Sequence, residues 1–179
     1  MTETPRDGGR RPLARWRSGR GGGAVYAAVL CAVVLAVAGL VGLTLRQPWL
    51  FPSLGPTVML FFSAPRLPSS RPRNALVGHA VGLAAGYGAY LAFGLPGSSP
   101  APVGGLTFRY VLAAVVAVAV TTFVLHLIGL QHPPAGATTL IVALGILATP
   151  VALLDMLGAV VLITVLGWNL NRLLLGRPA

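Results

Sequence analysis

Two short stretches of the chain place proline, glycine and hydroxyl residues inside otherwise apolar sequence. The first is FPSLGPT, residues 51–57, and the second is HPPAGAT, residues 132–138. Proline suits the first turn of a helix, where its missing N–H would lack a partner anyway, and glycine lets another group approach the backbone closely. The free amides and positive dipole end of such a turn favour small anions. The spacing therefore predicts two helix N-termini that hold one small anionic or polar solute between them.

Nine residues of these stretches are candidate solute ligands. The serine and threonines would contribute hydroxyl groups, the histidine an imidazole that donates a hydrogen bond or titrates, and the others backbone amides. An alternative is that proline and glycine only kink membrane helices for packing, with the histidine as a structural donor. The predicted solute-binding residues are Ser53, Leu54, Gly55, Thr57, His132, Ala135, Gly136, Ala137 and Thr138.

Three further polar residues, His79, Asp155 and Asn169, are candidates for a coupling or polar role. Ionisable residues within membrane spans often bind protons or cations. Asp155 lies near a helix end, where pairing with Arg109 is the alternative. Structural hydrogen bonding is the alternative for all three. No cluster of histidine, cysteine and carboxylate has the spacing of metal ligands, so we expect no metal and no cofactor. No nucleophile and base can be paired, so we do not expect an enzyme.

The composition indicates an integral membrane protein. Of the 179 residues, 55% are hydrophobic and 9% are charged, whereas soluble domains carry about 25% charged residues. The charges are concentrated in residues 1–23, a tail that we interpret as a cytoplasmic topology signal rather than a nucleic-acid-binding segment. Six of the 13 basic residues lie in it: Arg6, Arg10, Arg11, Arg15, Arg17 and Arg20.

Four segments are long and apolar enough to cross a hydrocarbon core of about 30 Å as helices. Two shorter apolar stretches, Leu54–Phe62 and Ala135–Ala148, follow the proline-rich breaks. We therefore predict one transmembrane domain, residues 24–175, followed by a short tail, residues 176–179. The four long segments are Ala24–Leu45, Ala75–Leu95, Tyr110–Leu130 and Val151–Leu170, the last extending towards Leu175.

Three residues of the first break recur 81 positions later in the second. The pairs are Pro52 and Pro133, Gly55 and Gly136, and Thr57 and Thr138. With the long–short–long order of the helices, this predicts an all-α membrane fold of two three-element repeats, residues 24–95 and 108–175. If the short elements cross the membrane, the second repeat is inverted; the alternative is two re-entrant loops. Arginine placement favours six crossings, because residues 66–73 then lie on the cytoplasmic side with both termini.

Gly78, Gly82 and Gly86 are spaced by four residues, which allows close contact between membrane helices. On this basis we predict a homo-oligomer, the alternative being that the glycines pack within one protomer.

Three sequences, FPSLGPTVMLFF, RPRNALVGHAVG and HPPAGATTLI, resemble the HPP family of integral membrane proteins, named after the motif found here at residues 132–134. The resemblance covers residues 50–175. It implies a transmembrane domain usually described as having four spans. Chloroplast and cyanobacterial members are implicated in nitrite transport, so the resemblance implies nitrite as the solute.

We therefore predict a small transporter or channel for a small anion, nitrite being the best candidate. It would lie in the plasma or inner membrane with both termini cytoplasmic, and its partners would be the lipid bilayer and the solute. Two alternatives remain. One is a membrane scaffold or sensor that transports nothing, and the other is a channel for a small neutral polar solute.

Overall fold

The computed structural model describes Arg17 and residues 19–175, and the regular elements of these residues are helices. Most of the predicted basic tail and the tail 176–179 lie outside the described residues. Four of the helices are long and apolar enough to cross a membrane: α1, α3, α5 and α7. The helices are α1 (Arg20–Leu45), α2 (Leu54–Ser63), α3 (Pro72–Ala92), α4 (Ala101–Gly104), α5 (Phe108–Leu127), α6 (Pro134–Ala143) and α7 (Pro150–Leu175), with a 3₁₀ turn at Pro68–Ser70. The all-helical membrane fold is as predicted.

Proline is the first residue of α3, α6 and α7, at Pro72, Pro134 and Pro150. Its fixed φ suits the first turn, and its missing N–H leaves no further donor without a partner. These helices begin one to three residues before the predicted positions. The predicted starts were based on hydropathy, which proline and its polar neighbours lower.

Two helix ends differ more clearly from the prediction. Helix α1 begins at Arg20 rather than Ala24, so the end of the predicted tail is helical. Helix α6 ends at Ala143 rather than Ala148. Gly145 has φ of 77°, a left-handed conformation that commonly ends helices.

Helix α2 and the linker before it return along the whole length of α1. At the start of this segment, the Gln47 amide donates to the Gly42 carbonyl near the end of α1, at 2.9 Å. At its far end, Arg17 Nη1 donates to the Phe62 carbonyl at 3.4 Å. A re-entrant loop would return to the end at which it started, whereas this segment runs from one end of α1 to the other.

Helix α6 and its linker likewise run along α3 from one end to the other. Before α6, His132 Nδ1 lies 2.8 Å from the carbonyl oxygen of Ser69, which precedes α3. After α6, the Leu144 carbonyl accepts a hydrogen bond of 3.0 Å from the amide of Ala101, which follows α3. Both short segments thus run from one end of the bundle to the other, as the prediction of six crossings requires.

The two halves of the bundle use the same packing pattern. Helix α2 packs against α1 and α7, and helix α6 packs against α5 and α3. Each short helix is antiparallel to the long helix before it and parallel to the long helix of the other half. The two short helices consequently point in opposite directions, and their N-terminal ends meet, with Thr57 Oγ1 3.3 Å from His132 Nε2.

One end of the bundle carries most of the described arginines. Arg17 contacts the end of α2, so it lies beside the loop that holds arginines 66 and 71. The end of α7 is fastened at the same place, because the Asn171 side chain donates to the Phe61 carbonyl at 2.8 Å and accepts from the Tyr26 hydroxyl at 2.7 Å. Arg46, at the end of α1, lies at the opposite end of the bundle.

The glycine face of α3 is in close contact with α6 of the same chain. A Cβ added at Gly82 would lie 2.8 Å from the Ala135 carbonyl oxygen, and one added at Gly86 would lie 2.8 Å from that of Thr139. The predicted close contact is therefore present, but within one protomer. These glycines do not support the predicted homo-oligomer, which stays a prediction.

Candidate functional site

Five polar side chains from both halves of the chain meet where the N-termini of α2 and α6 come together. Four of them are fully buried and the fifth, His132, is 2% exposed. Polar groups inside an apolar bundle destabilise the fold unless they are hydrogen-bonded. The five residues, called the polar cluster below, are Ser53, Thr57, His79, His132 and Thr138.

His79 lies at the centre of the polar cluster and connects the two short helices. Its ring projects from α3, with Nε2 2.9 Å from Thr57 Oγ1 on α2 and Nδ1 2.7 Å from Thr138 Oγ1 on α6. Both ring nitrogens are therefore used, one towards each half of the chain. The sequence suggested a coupling role for this histidine but gave no reason to place it between the two breaks.

His132 occupies the side of the polar cluster nearest the arginine-rich end. Its Nδ1 is 2.8 Å from the carbonyl oxygen of Ser69, which has no proton to give, so Nδ1 must carry the hydrogen. In the neutral ring, the lone pair of Nε2 then points towards Thr57 Oγ1 at 3.3 Å. The two imidazole rings lie edge to face, with centroids 5.0 Å apart.

Ser53 closes the polar cluster on the opposite side. The Thr138 hydroxyl donates to Ser53 Oγ at 2.8 Å, which joins the two helix N-termini directly. The Thr57 hydroxyl donates to the Ser53 carbonyl at 3.0 Å. The polar side chains thus bond mainly to one another, and a solute can take their place only when some of them separate.

With this geometry established, comparison with known proteins is informative. Residues 18–178, nearly the whole chain, match the family described as HPP, transmembrane region. The chain belongs to the HPP family. No curated protein and no solved structure was found to match it. The family resemblance predicted from the two breaks is thereby confirmed.

In this HPP protein, the three residues of the motif have different surroundings. His132 is a member of the polar cluster, Pro133 is exposed just before α6, and the buried Pro134 is the first residue of that helix. The first turn that follows supplies Ala135, which contacts the glycine face of α3. The motif therefore fixes both the start of α6 and the position of the imidazole.

Three of the backbone amides predicted as solute ligands already have acceptors in this conformation. The Leu54 amide donates to the Phe51 carbonyl at 3.0 Å, the Ala135 amide to the His132 carbonyl at 2.9 Å, and the Gly136 amide to the Pro133 carbonyl at 3.0 Å. The side chain of Leu54 belongs to the apolar core. The predicted residues that come together in this HPP protein are those with polar side chains.

Three other predicted site residues have open space or partial exposure instead of polar contacts. A Cβ added at Gly55 or Gly136 would meet no atom within 4 Å. Ala137, next along α6, is partly buried. A group could still approach these glycines closely, but no described atom occupies that space.

Two of the predicted coupling residues bond outside the polar cluster. Trp49 Nε1 donates to Asp155 Oδ1 at 3.1 Å, whereas the structure shows no bond from Arg109 to that carboxylate. The Asn169 amide, exposed on α7, donates to the Val165 carbonyl of its own helix at 2.8 Å. Of the three coupling candidates, only His79 is in contact with the solute-binding candidates.

The two histidines of the polar cluster do not form a metal-binding group. Among the residues that the structure describes, no third histidine, cysteine or carboxylate lies close enough to complete one. The chemistry available in the cluster is hydrogen bonding by hydroxyls and hydrogen bonding or proton uptake by imidazoles.

Proposed function

We propose that this HPP protein transports a small anion across the membrane and that the polar cluster is its solute site. The observation that carries the proposal is the meeting of five buried polar side chains between two helix N-termini. Gly82, the middle residue of the 21-residue α3, contacts Ala135 at the start of α6. The cluster therefore lies near the middle of the bundle, where transporters with broken helices bind their solutes.

The surroundings of the polar cluster suit a negative charge. Two helix N-termini contribute dipole ends that each favour an anion by about 0.3–2 kcal/mol, and hydroxyls and imidazoles can donate hydrogen bonds. None of the hydrogen bonds described for the cluster involves a carboxylate. Nitrite is the best candidate because the resemblance to chloroplast and cyanobacterial HPP proteins implies it.

The packing of the helices supports a mechanism in which α2, packed against α1 and α7, moves relative to α6, packed against α3 and α5. In each half, the short helix packs against the long helix before it and against the last long helix of the other half. Corresponding helices of the two halves run in opposite directions, as in inverted repeats. The side chains of the polar cluster are hydrogen-bonded to one another. This arrangement favours an alternating transporter over an open channel. The arginine-rich end is the cytoplasmic one in this proposal, so both termini face the cytoplasm of an inner or plasma membrane.

Uptake into proteoliposomes tests the proposal. Purified protein is reconstituted, and uptake of nitrite, nitrate, formate and urea is compared with uptake by protein-free liposomes. Saturable uptake of an anion is expected, with nitrite the fastest. Urea uptake without anion uptake would indicate a neutral-solute channel, and no uptake of any of the four would favour a scaffold or sensor.

A matched pair of variants locates the site. Thr138→Val removes a hydroxyl of the polar cluster, whereas Thr121→Val removes a buried hydroxyl that bonds Thr139 outside it, at 3.0 Å. A hydrogen bond to a charged group contributes about 1.5–3 kcal/mol, so we expect anion uptake to fall by about 10-fold to 100-fold only in Thr138→Val. Equal uptake by the two folded variants would contradict the proposed site.

A further inference from the structure

We propose that the polar cluster is also a proton relay, so that the transported anion crosses together with one proton. This inference rests on the proposed function of the same site, and it specifies how the charge of the solute is balanced. Its basis is the number of hydrogens that the five side chains can share and the order in which they are bonded.

Thr57 is surrounded by more acceptors than its single hydrogen can serve. Its hydroxyl oxygen lies 3.0 Å from the Ser53 carbonyl, 2.9 Å from His79 Nε2 and 3.3 Å from His132 Nε2. When the hydroxyl donates to the carbonyl, both ring nitrogens face an oxygen lone pair. The contact of 2.9 Å is then a hydrogen bond only if His79 Nε2 carries a proton.

The same count applies on the other side of the His79 ring. Thr138 donates its one hydrogen to Ser53 Oγ, and its oxygen is also 2.7 Å from His79 Nδ1. That short contact is a hydrogen bond only if Nδ1 carries a proton. With the hydroxyls in these orientations, both nitrogens of His79 are donors, so the ring is an imidazolium cation.

Rotation of the hydroxyls gives a second, neutral arrangement of the same heavy atoms. Thr138 then donates to His79 Nδ1 instead of Ser53, His79 Nε2 to Thr57, and Thr57 to His132 Nε2, while His132 Nδ1 still donates to the Ser69 carbonyl. Every member donates to the next one, and every ring carries one proton. The two arrangements differ by one proton.

The relay between these arrangements is balanced in protons. A proton that arrives at Thr138 Oγ1 lets Thr138 pass its own hydrogen to His79 Nδ1, which leaves an imidazolium. In the next transfers His79 Nε2 gives its hydrogen to Thr57, and Thr57 gives its own to His132 Nε2. No bond between heavy atoms forms or breaks, and the only net change is one added proton that has moved from Thr138 to His132.

The position of the relay suits transport across the membrane. Thr138, where the relay begins, is bonded to Ser53 after the linker from the end of α1, whereas His132 contacts the Ser69 carbonyl in the loop at the arginine-rich end. The chain of hydrogen bonds therefore leads from the linker before α2 towards the linker before α6. A proton released from His132 would leave towards the arginine-rich end.

Few other charged groups act on the two histidines. In the described bonds, α2 and α6 present hydroxyls, α3 presents His79, and the loop before α3 presents a carbonyl. The third histidine, His126 of α5, bonds the exposed Gln131 side chain instead, and on α7 the Asp155 carboxylate bonds Trp49. Since none of the described arginines bonds to the cluster, a mobile proton is the positive charge available to accompany an anion into this low-dielectric site.

The first experiment measures proton movement with the wild-type protein. Proteoliposomes that contain a trapped pH-sensitive dye are given either nitrate or nitrite. Nitrate is included because its undissociated acid is negligible in neutral buffer. Protein-free liposomes are the control. We expect one proton to enter with each anion, and uptake to respond to a pH gradient but not to a membrane potential set with potassium and valinomycin. Anion uptake that follows the potential without proton entry would overturn the relay and leave the proposed transport intact. No uptake of either anion would reject both.

The second experiment interrupts the relay. In His79→Gln, the side-chain amide can still bond both threonines, but it cannot transfer a proton from one side to the other as an imidazole ring can. Thr57→Val removes the central hydroxyl, and Thr57→Ser keeps it. We expect accumulation driven by a pH gradient to fall roughly 100-fold in His79→Gln and Thr57→Val, a loss typical of removing a proton-transfer group. Thr57→Ser should restore more of the coupled uptake than Thr57→Val, and Thr121→Val, which removes a hydroxyl outside the polar cluster, should retain it. A folded His79→Gln variant that still moves one proton per anion would refute the relay.

Discussion

The two short helices are held in place by different kinds of contact. Helix α6 lies directly on the backbone of α3, where a Cβ added at Gly82 or Gly86 would come within 2.8 Å of a carbonyl oxygen of α6. Helix α2 lies on α7 through large side chains. There a Cβ added at Gly167 would meet the Phe61 ring at 2.7 Å, and one added at Gly158 would meet the Trp49 ring at 3.1 Å.

This difference indicates which short helix can move. Backbone atoms in contact cannot yield without displacing a helix, whereas aromatic side chains can change rotamer. The linker before α2, residues 46–53, is also longer than the linker before α6, residues 128–133. We therefore expect α6 to remain with α3, and with both histidines, while α2 carries Ser53 and Thr57 away from them to admit the solute.

The largest expected effect comes from enlarging the glycine face of α3. Gly82→Leu places a side chain where the Ala135 carbonyl lies, and no rotamer removes the Cβ contact, so we expect little folded protein. Gly82→Ala should destabilise the fold by about 1–3 kcal/mol, as overpacking does. Gly167→Ala should cost less, because the Phe61 ring can shift. Thermal unfolding in detergent, followed by size-exclusion chromatography, measures these differences.

The exposed Gly88, also on α3, provides the control, since a Cβ there meets no atom within 4 Å. Gly88→Leu should fold normally. If Gly82→Ala and Gly167→Ala proved equally destabilising, the distinction between a fixed and an adjustable short helix would be lost.

A medium effect is expected at the end of α2, where hydrogen bonds rather than glycines fasten the helix. Asn171→Leu leaves the Phe61 carbonyl and the Tyr26 hydroxyl without their partner, and a buried polar group without a partner costs about 1–3 kcal/mol. Adding Tyr26→Phe to Asn171→Leu should restore part of the lost stability, because the Tyr26 hydroxyl, one of the two groups without a partner, is then absent. A double-variant cycle of unfolding temperatures checks the coupling; additive losses would mean that the two bonds act independently.

The sequence was sufficient to predict local features that depend on neighbouring residues. The start of α2 at Leu54 was predicted to the residue, and that of α6 within one, because proline before an apolar run is typical of the first turn of a helix. The glycine spacing on α3 predicted a close contact, but the identity of the partner depends on the path of the chain. Nothing in the sequence near His79 indicates that its ring would lie between residues 57 and 138.

The smallest expected effect on stability concerns the glycines at the start of the two short helices. Gly136→Ala and Gly55→Ala each add a Cβ that meets no atom within 4 Å, and alanine is the better helix former by roughly 0.5–1 kcal/mol. Both variants should therefore be as stable as the wild type or slightly more stable. If these glycines are there to let a solute approach the first turn, anion uptake should nevertheless fall, and the larger Gly136→Val should reduce it further. Gly88→Val is the matched control, with the same substitution in open space on another helix. Wild-type nitrite uptake by folded Gly136→Val would mean that the glycines of the two breaks serve packing alone, and the solute would then be held by the side chains of the polar cluster without any contribution from the helix backbone.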